Sequence, residues 1–347
     1  MMPKNKFLLK VTFRVWRPFG LNFSAVVWLW WPATTVGQSQ LNRIGIIDMM
    51  DDEISSSPPL WRKILHGVQD DLLNSLGYPA TLRRRLNNGI LPVSHPQLRN
   101  TFWLRSVVCW QTWLEYEKHC IRYLRLGHDG DYDYLQRHIP QLDGLINSET
   151  SESFCCDITA VGGLSASSDC DQELSSLDAF AQQCCQELAI PLTRDRLNRN
   201  LSHHGLRLSE MVFSQFTWMP ARLYWNNVDG AHHFAAARFL ATQLSQPVSL
   251  TGQLNTYSIN PQKIRQLTAQ WDLFLVPEGI VYGEFKDALL RLKCPFGVSN
   301  PPHWENGDEQ HFRVIWLERH QTAPARVSRP LAQAGFPSLS QQLSELK

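Results

Sequence analysis

Apolar positions along the chain fall into helical and extended stretches. From Leu60, the residues Trp61, Ile64, Leu65, Val68, Leu72 and Leu76 form a helical stripe, opened by Pro58 and Pro59 and closed by Gly77 and Pro79. The plain reading is a core helix. Leu98 to Leu126 is rich in tryptophan, and Trp103, Val107, Trp110, Leu114 and Ile121 lie near a 3.6-residue period, which predicts a long packed helix. Ser176 and Asp178 open a short helix over Leu177 to Leu188, with Phe180, Cys184 and Leu188 on one face. Extended runs are expected at Phe154 to Val161, Arg222 to Trp225, Val248 to Ile259, Asp272 to Val276 and Phe312 to Leu317. Gly162 and Gly163 read as a turn, and Tyr282 to Leu292 as a helix carrying Phe285, Leu289 and Leu292. The stretch from Gln321, with Pro324, Pro330 and Pro337, is expected to be loosely ordered until a helical run at Leu339 to Leu346.

These elements predict an α+β protein. The expected organisation is an N-terminal helical domain at 49–147, a linker at 148–176 rich in Ser, Cys and Gly, a mixed α/β domain at 177–320 built around a strand-turn-helix at 221–244, and a tail at 321–347. Residues 1–48 stand apart. Lys4, Lys6, Lys10, Arg14 and Arg17 precede the apolar run Phe23 to Trp31, as in a secretory leader, and Thr35 and Gly37 are small enough for cleavage. The run is too short for an integral membrane span. Met49 and Met50 offer the alternative that translation starts there and that 1–48 is an extension; with it goes a cytoplasmic location, the reading favoured here.

Composition narrows the function classes. With 33 basic and 32 acidic residues, no global field draws the chain to nucleic acid, a membrane or an acidic substrate. The 13 tryptophans point to a Trp-rich interior or to a surface for a protein partner. Arg83, Arg84 and Arg85 could meet the phosphates of a nucleic acid or simply solvate a helix. The eight cysteines include the adjacent pairs Cys155 with Cys156 and Cys184 with Cys185, without the spacing of structural zinc, so reduced thiols are expected and no metal is assigned. His303 and His311 have no fixed spacing to other histidines. Asp129, Asp131 and Asp133 begin like a calcium loop, but Tyr134 and Pro140 stand where Gly and Glu are required. No pattern names a cofactor.

The richest stretch is Ala221 to Leu244. Strand-forming Arg222 to Trp225 ends at Asn226 and Asn227, Asp229 and Gly230 make a turn, and Phe234, Ala237, Ala241 and Leu244 form the stripe of the following helix. Such a helix directs its free N–H groups and positive dipole end at the turn, where a phosphate can sit. Gly230, Ala231 and His232 are candidate ligand-binding residues, His233 is the acid/base candidate, and Asp229 would orient or charge it. Upstream, Arg194, Arg196 and Arg199 accompany His203 and His204 in a polar segment that could complete an anion pocket or be a solvated loop. The competing reading makes Asp229 a helix cap, the histidines structural, and the whole a non-catalytic interaction module.

The run Val228 to Ala237, VDGAHHFAAA, resembles the D-G-x-H-R-x-x-A-A turn of the ParB and sulfiredoxin-like superfamily. The resemblance covers Arg222 to Ile259 and implies a turn that holds nucleotide phosphates, with phosphoryl transfer or nucleolytic hydrolysis as the chemistry. The superfamily's arginine position is His233, and the sulfiredoxin cysteine position falls at Ala231, which speaks against sulfiredoxin chemistry. The whole chain loosely resembles uncharacterised bacterial families that carry a domain-of-unknown-function label.

Overall fold

The computed structural model describes residues 7–14, 24–31, 60–167, 173–219, 222–303 and 311–346. The chain divides into two compact units, Met1–Pro58 and Pro59–Lys347. In the first, β1 (Phe7–Arg14) pairs antiparallel with β2 (Ser24–Trp31), Phe7 opposite Trp31. Thr35, Gly37 and the alternative start at Met49 and Met50 lie outside the described residues.

The second unit is α+β. It runs α1 (Leu60–Ser75), α2 (Ala80–Asn87), β3 (Cys120–Leu126), β4 (Tyr132–His138), β5 (Ile146–Asp157), β6 (Val161–Leu164), α3 (Leu177–Cys184), α4 (Gln186–Ala189) and α5 (Arg194–Leu201). It continues with β7 (Met211–Phe216), β8 (Leu223–Trp225), α6 (Ala231–Gln243), β9 (Ser249–Ile259), α7 (Pro261–Gln270), β10 (Trp271–Pro277), α8 (Ile280–Arg291), β11 (Phe296–Ser299), β12 (Phe312–Glu318), α9 (Thr322–Ala334) and α10 (Leu339–Glu345). The strands form two five-stranded sheets, one antiparallel in the order β10-β12-β11-β3-β4 and one mixed in the order β5-β9-β7-β8-β6.

Both faces of the antiparallel sheet are covered at β10 and β12, and the period-two alternation of these strands shows how. Leu273 and Leu275 of β10 and Val314 and Trp316 of β12 enter one core with α7, α10, Trp110 and Trp113. Their neighbours Phe274, Val276, Ile315 and Leu317 enter the other, with α8, α9 and Leu82 of α2. Trp113 stacks on Trp316 with ring centroids 5.4 Å apart, so the tryptophans around this sheet serve as interior. Arg137 of β4 closes the sheet's edge region: it donates to both carboxylate oxygens of Glu318 at 3.0 Å, with its guanidinium 4.7 Å from the ring centres of Tyr123 and Trp271.

Several sequence expectations are corrected. Leu98 to Leu126 holds two 3-10 turns, Leu104–Ser106 and Trp110–Thr112, and then β3, because its apolar residues serve different cores. Trp103 joins the core under α6, Val107 packs with Phe216 and Tyr224, and Trp110 and Ile121 join the antiparallel sheet. Residues 148–176, expected as a linker, contribute most of β5 and all of β6 to the mixed sheet. The stretch from Gln321 folds as α9 and α10, with Val327, Leu331, Leu339 and Leu343 buried.

The stripe of α1 faces outward: Leu65, Val68, Leu72 and Leu76 are all about half exposed. Polar contacts set that orientation, since Asp70 pairs with Arg84 at 2.9 Å and buried Asn74 donates to Thr81 and accepts from the Ala80 N–H of α2. Trp61 and Ile64 carry no described side chains. Gly162 and Gly163 lie in β6 rather than a turn; a Cβ on Gly163 would strike the Tyr224 ring and the Phe102 carbonyl. Among the described residues no helix is long and apolar enough to cross a membrane.

Gly163→Ala has no flexible neighbour to displace, so it lowers stability by about 3 kcal/mol, measured by urea unfolding. Arg137 holds the Glu318 carboxyl below its ordinary range of about 4.5, mainly through the paired hydrogen bonds. A carboxylate with a depressed folded pKa contributes stability above its unfolded pKa and loses it as pH falls through the folded one. Arg137→Met therefore destabilises the protein by about 2 kcal/mol at pH 7, and the gap to wild type narrows below pH 4.5.

Candidate functional site

Alanine content positions α6. Ala235, Ala236, Ala237 and Ala241 are fully or almost fully buried, which lets α3, α4 and α5 pack closely on the helix, while it shares a core with the mixed sheet. Arg238 ties it down by donating to the Val161 carbonyl at 2.7 Å and pairing with Asp178 of α3. The N-terminus of α6 then emerges where β8 ends, in a turn whose shape glycine dictates. Gly230 sits at φ +77°, a left-handed conformation costly for other residues, and the turn packs on Gly205, where a Cβ would lie 3.1 Å from an Asp229 oxygen.

Gly230, not Asp229, holds the capping position, and among the described residues no side chain is seen to cap the helix. Asp229 Oδ1 accepts the N–H of Gly230 at 2.7 Å, ahead of the first helical turn. Asp229 is therefore not the cap of the helix, and α6 keeps its dipole end toward a cleft of about 270 Å³. Its walls include Asp229, Gly230, Ala231, His232, His233 and His203. Buried Asn227 fixes the opposite wall: it accepts the N–H groups of Ser165 and Ala166 at 3.0 and 3.2 Å and donates to the Ala166 carbonyl at 2.7 Å.

Three histidines from two elements meet here. The ring of His233 stacks on His203 with centroids 4.0 Å apart and planes 15° apart, and His203 lies 4.3 Å from His204. His204 Nε2 lies 3.4 Å from Asp229 Oδ2. His232 packs beside Phe180 at 5.2 Å between ring centres.

The hydrogen bonds assign the protons. Asn200, almost wholly buried on α5, donates its amide to the Leu188 carbonyl at 2.9 Å, which leaves its oxygen to face His233 Nδ1 at 3.0 Å. That oxygen is an acceptor, so His233 carries its proton on Nδ1 and keeps the Nε2 lone pair. His203 is the reverse, because its Nδ1 accepts the N–H of Gly205 at 3.1 Å and its proton sits on Nε2. Burial, and then the neighbouring His203 and His232, pushes the His233 pKa below its ordinary 6.5 despite the opposing pull of Asp229. His233 is thus a neutral imidazole at pH 7 with one nitrogen fixed and one available as a base or ligand atom.

Other expected residues lie elsewhere. Arg194, Arg196 and Arg199 belong to α5 but do not line the cleft, and neither do His303 and His311. Arg84 pairs with Asp70, and Arg85 with Glu284 and Asp287, so two of the three clustered arginines are committed to carboxylates of their own chain. Asn200, Asn227 and Ser165 were not singled out by sequence. Their visible signals are the Asn226-Asn227 pair after the strand and the polar segment upstream of the turn, in which Asn200 lies.

Fold and site together define an α+β protein with a histidine-lined cleft at a helix N-terminus. A family model described as "Family of unknown function (DUF6685)" matches residues 151–347, more than half of the chain, and the protein belongs to that family. All the cleft residues named above fall within the match. No curated protein and no solved structure matches the chain.

The proton assignment yields a prediction. Nitrogen NMR of the imidazoles at pH 7 finds His233 neutral with Nδ1 protonated, titrating below 6.5. Because the unfolded chain binds that proton more readily, the contribution of His233 to stability holds above its unfolded pKa and declines as pH falls below it.

Proposed function

We propose that the cleft binds the phosphate end of a small ligand, a nucleotide or another phosphate ester, and that His233 Nε2 accepts a proton from it or from an attacking nucleophile. The observation that carries this is the uncapped N-terminus of α6 beside two histidines of opposite tautomer. Backbone N–H groups and His203 Nε2–H donate to oxyanions, and His233 accepts. A volume of about 270 Å³ is below that of pockets enclosing drug-sized molecules, roughly 300–1,000 Å³, so the remainder of the ligand extends from the mouth. The turn's likeness to the ParB and sulfiredoxin-like superfamily supports the same ligand class, with phosphoryl transfer or phosphodiester hydrolysis as the reaction. His233 at that superfamily's arginine position, neutral and oriented by Asn200, favours proton transfer over charge pairing.

A second reading has a specific support. The exposed stripe Leu65, Val68, Leu72 and Leu76 suits an interaction module in which the DGAHH turn is structural.

Thermal denaturation of the full chain with inorganic phosphate and with nucleoside mono-, di- and triphosphates separates the two. A ligand at 100 times its Kd stabilises the folded state by about 2.7 kcal/mol and raises the midpoint. The expected result is a rise that His233→Ala and His203→Ala abolish while Arg194→Ala leaves it intact. No rise with any of these ligands, with both histidine variants folded and unchanged in midpoint, would move the reading to the interaction module.

A further inference from the structure

A second cluster of ligand-type side chains lies outside the cleft, on the antiparallel sheet. His119 immediately precedes β3, His138 ends β4, and Asp143 follows in the next loop. The sheet register brings them together: Cys120 pairs with His138, and the Ile139 N–H donates to the His119 carbonyl at 2.9 Å. His119 Nδ1 lies 2.6 Å from Asp143 Oδ1, and His138 Nε2 lies 3.2 Å from Asp143 Oδ2. One potential ligand atom from each residue falls within 4.8 Å of the other two.

Two hydrogen bonds from imidazoles to a carboxylate account for part of this arrangement. Three further features point to a metal ion. Ligand atoms around a tetrahedral ion at 2.0–2.2 Å lie roughly 3.3 Å apart, and the His138 to Asp143 edge already has that length. The Asp143 side chain is half exposed and has room to turn, so the shorter His119 edge opens without disturbing a core. Finally, His119 lines a small cavity of about 120 Å³ together with Gln111, whose buried Oε1 has no hydrogen-bond partner among the described residues. That oxygen has room in the cavity for a donor such as water beside His119, the one cluster residue on its wall.

We propose that His119, His138 and Asp143 form a binding site for a divalent transition metal of the zinc type, with a fourth position left for water or an exogenous ligand. Two imidazoles and one carboxylate suit zinc, cobalt or nickel, whereas calcium and magnesium require more oxygen donors. The ion would fasten the turn before β3 to the end of β4 and to the loop beyond it. The site shares no residue with the α6 cleft and does not depend on the function proposed for it.

The test is titration of the metal-free full chain with zinc chloride by calorimetry, and with cobalt(II), whose visible spectrum reports tetrahedral coordination. His138→Gln and Asp143→Asn change exposed side chains. His119→Asn suits the left-handed backbone at that residue, φ 54°, which asparagine tolerates. His204→Gln controls for His203, His204 and Asp229, a second cluster whose ligand atoms lie close together. The expected result is one zinc bound per chain, weakened about tenfold or more by each of the first three substitutions and unchanged by the control. Circular dichroism verifies folding of each variant, and Asp143→Asn decides if either histidine variant is unfolded. Absence of zinc binding, or binding that Asp143→Asn leaves intact, overturns the proposal.

Discussion

Burial of α6 on nearly every side is the constraint from which the mixed sheet and its cleft take their form. A helix enclosed by a sheet and three other helices needs a surface that admits close approach from several directions, and Ala235, Ala236, Ala237 and Ala241 provide it. Phe234 and Leu240 supply the bulk that alanines lack, with Phe234 against Trp225 at 4.6 Å between ring centres. A helix held in this way has little freedom to shift along its axis, so its N-terminus is fixed relative to β8 and to the turn after α5. The three histidines meet because Gly230 and Gly205 let the two turns touch.

Much of the fold was legible because its strands and helices obey local rules. The segments at Arg222 to Trp225, Val248 to Ile259, Asp272 to Val276 and Phe312 to Leu317 match β8, β9, β10 and β12 to within a residue or two. Continuous apolar runs such as LFLV in β10 arise because both faces of the sheet are buried. Legibility failed where period and burial part company. The tryptophans from Trp103 to Trp113 are spaced like a helix but divide among separate cores, a partition no local window contains. The α1 stripe is a true helical stripe, yet Asn74 and Asp70 set the helix's orientation through contacts with α2.

The α9 segment illustrates a different failure. Prolines marked it as loosely ordered, but Pro324 lies in the first turn, where its missing N–H costs nothing, and only Pro330 lies inside the helix. Val327 between them and Leu331 just beyond are fully buried, so packing on the antiparallel sheet outweighs the lost hydrogen bond. Composition recorded the prolines, whereas their positions within the helix decided the outcome.

The candidate site was half legible for a related reason. The DGAHH turn carries its own signal in adjacent residues, and it marks His233 as the acid/base candidate. What gives that group a definite state lies 33 residues upstream, in Asn200, and the hydrogen bond that orients Asn200 comes from Leu188 on yet another helix. A histidine read from sequence has two tautomers and two charges. Here a buried amide removes the first ambiguity, and desolvation beside other imidazoles removes the second at neutral pH. The same logic applied to His203, through the Gly205 N–H, gives the opposite tautomer. Two stacked rings that would otherwise be equivalent thus become one donor and one acceptor. A site meant only to hold an anion gains nothing from an imidazole kept neutral with a free lone pair, since that nitrogen repels oxyanions. The asymmetry is therefore more informative than the number of histidines: it is what the proposed ligand, with both an oxyanion and a transferable proton, would require.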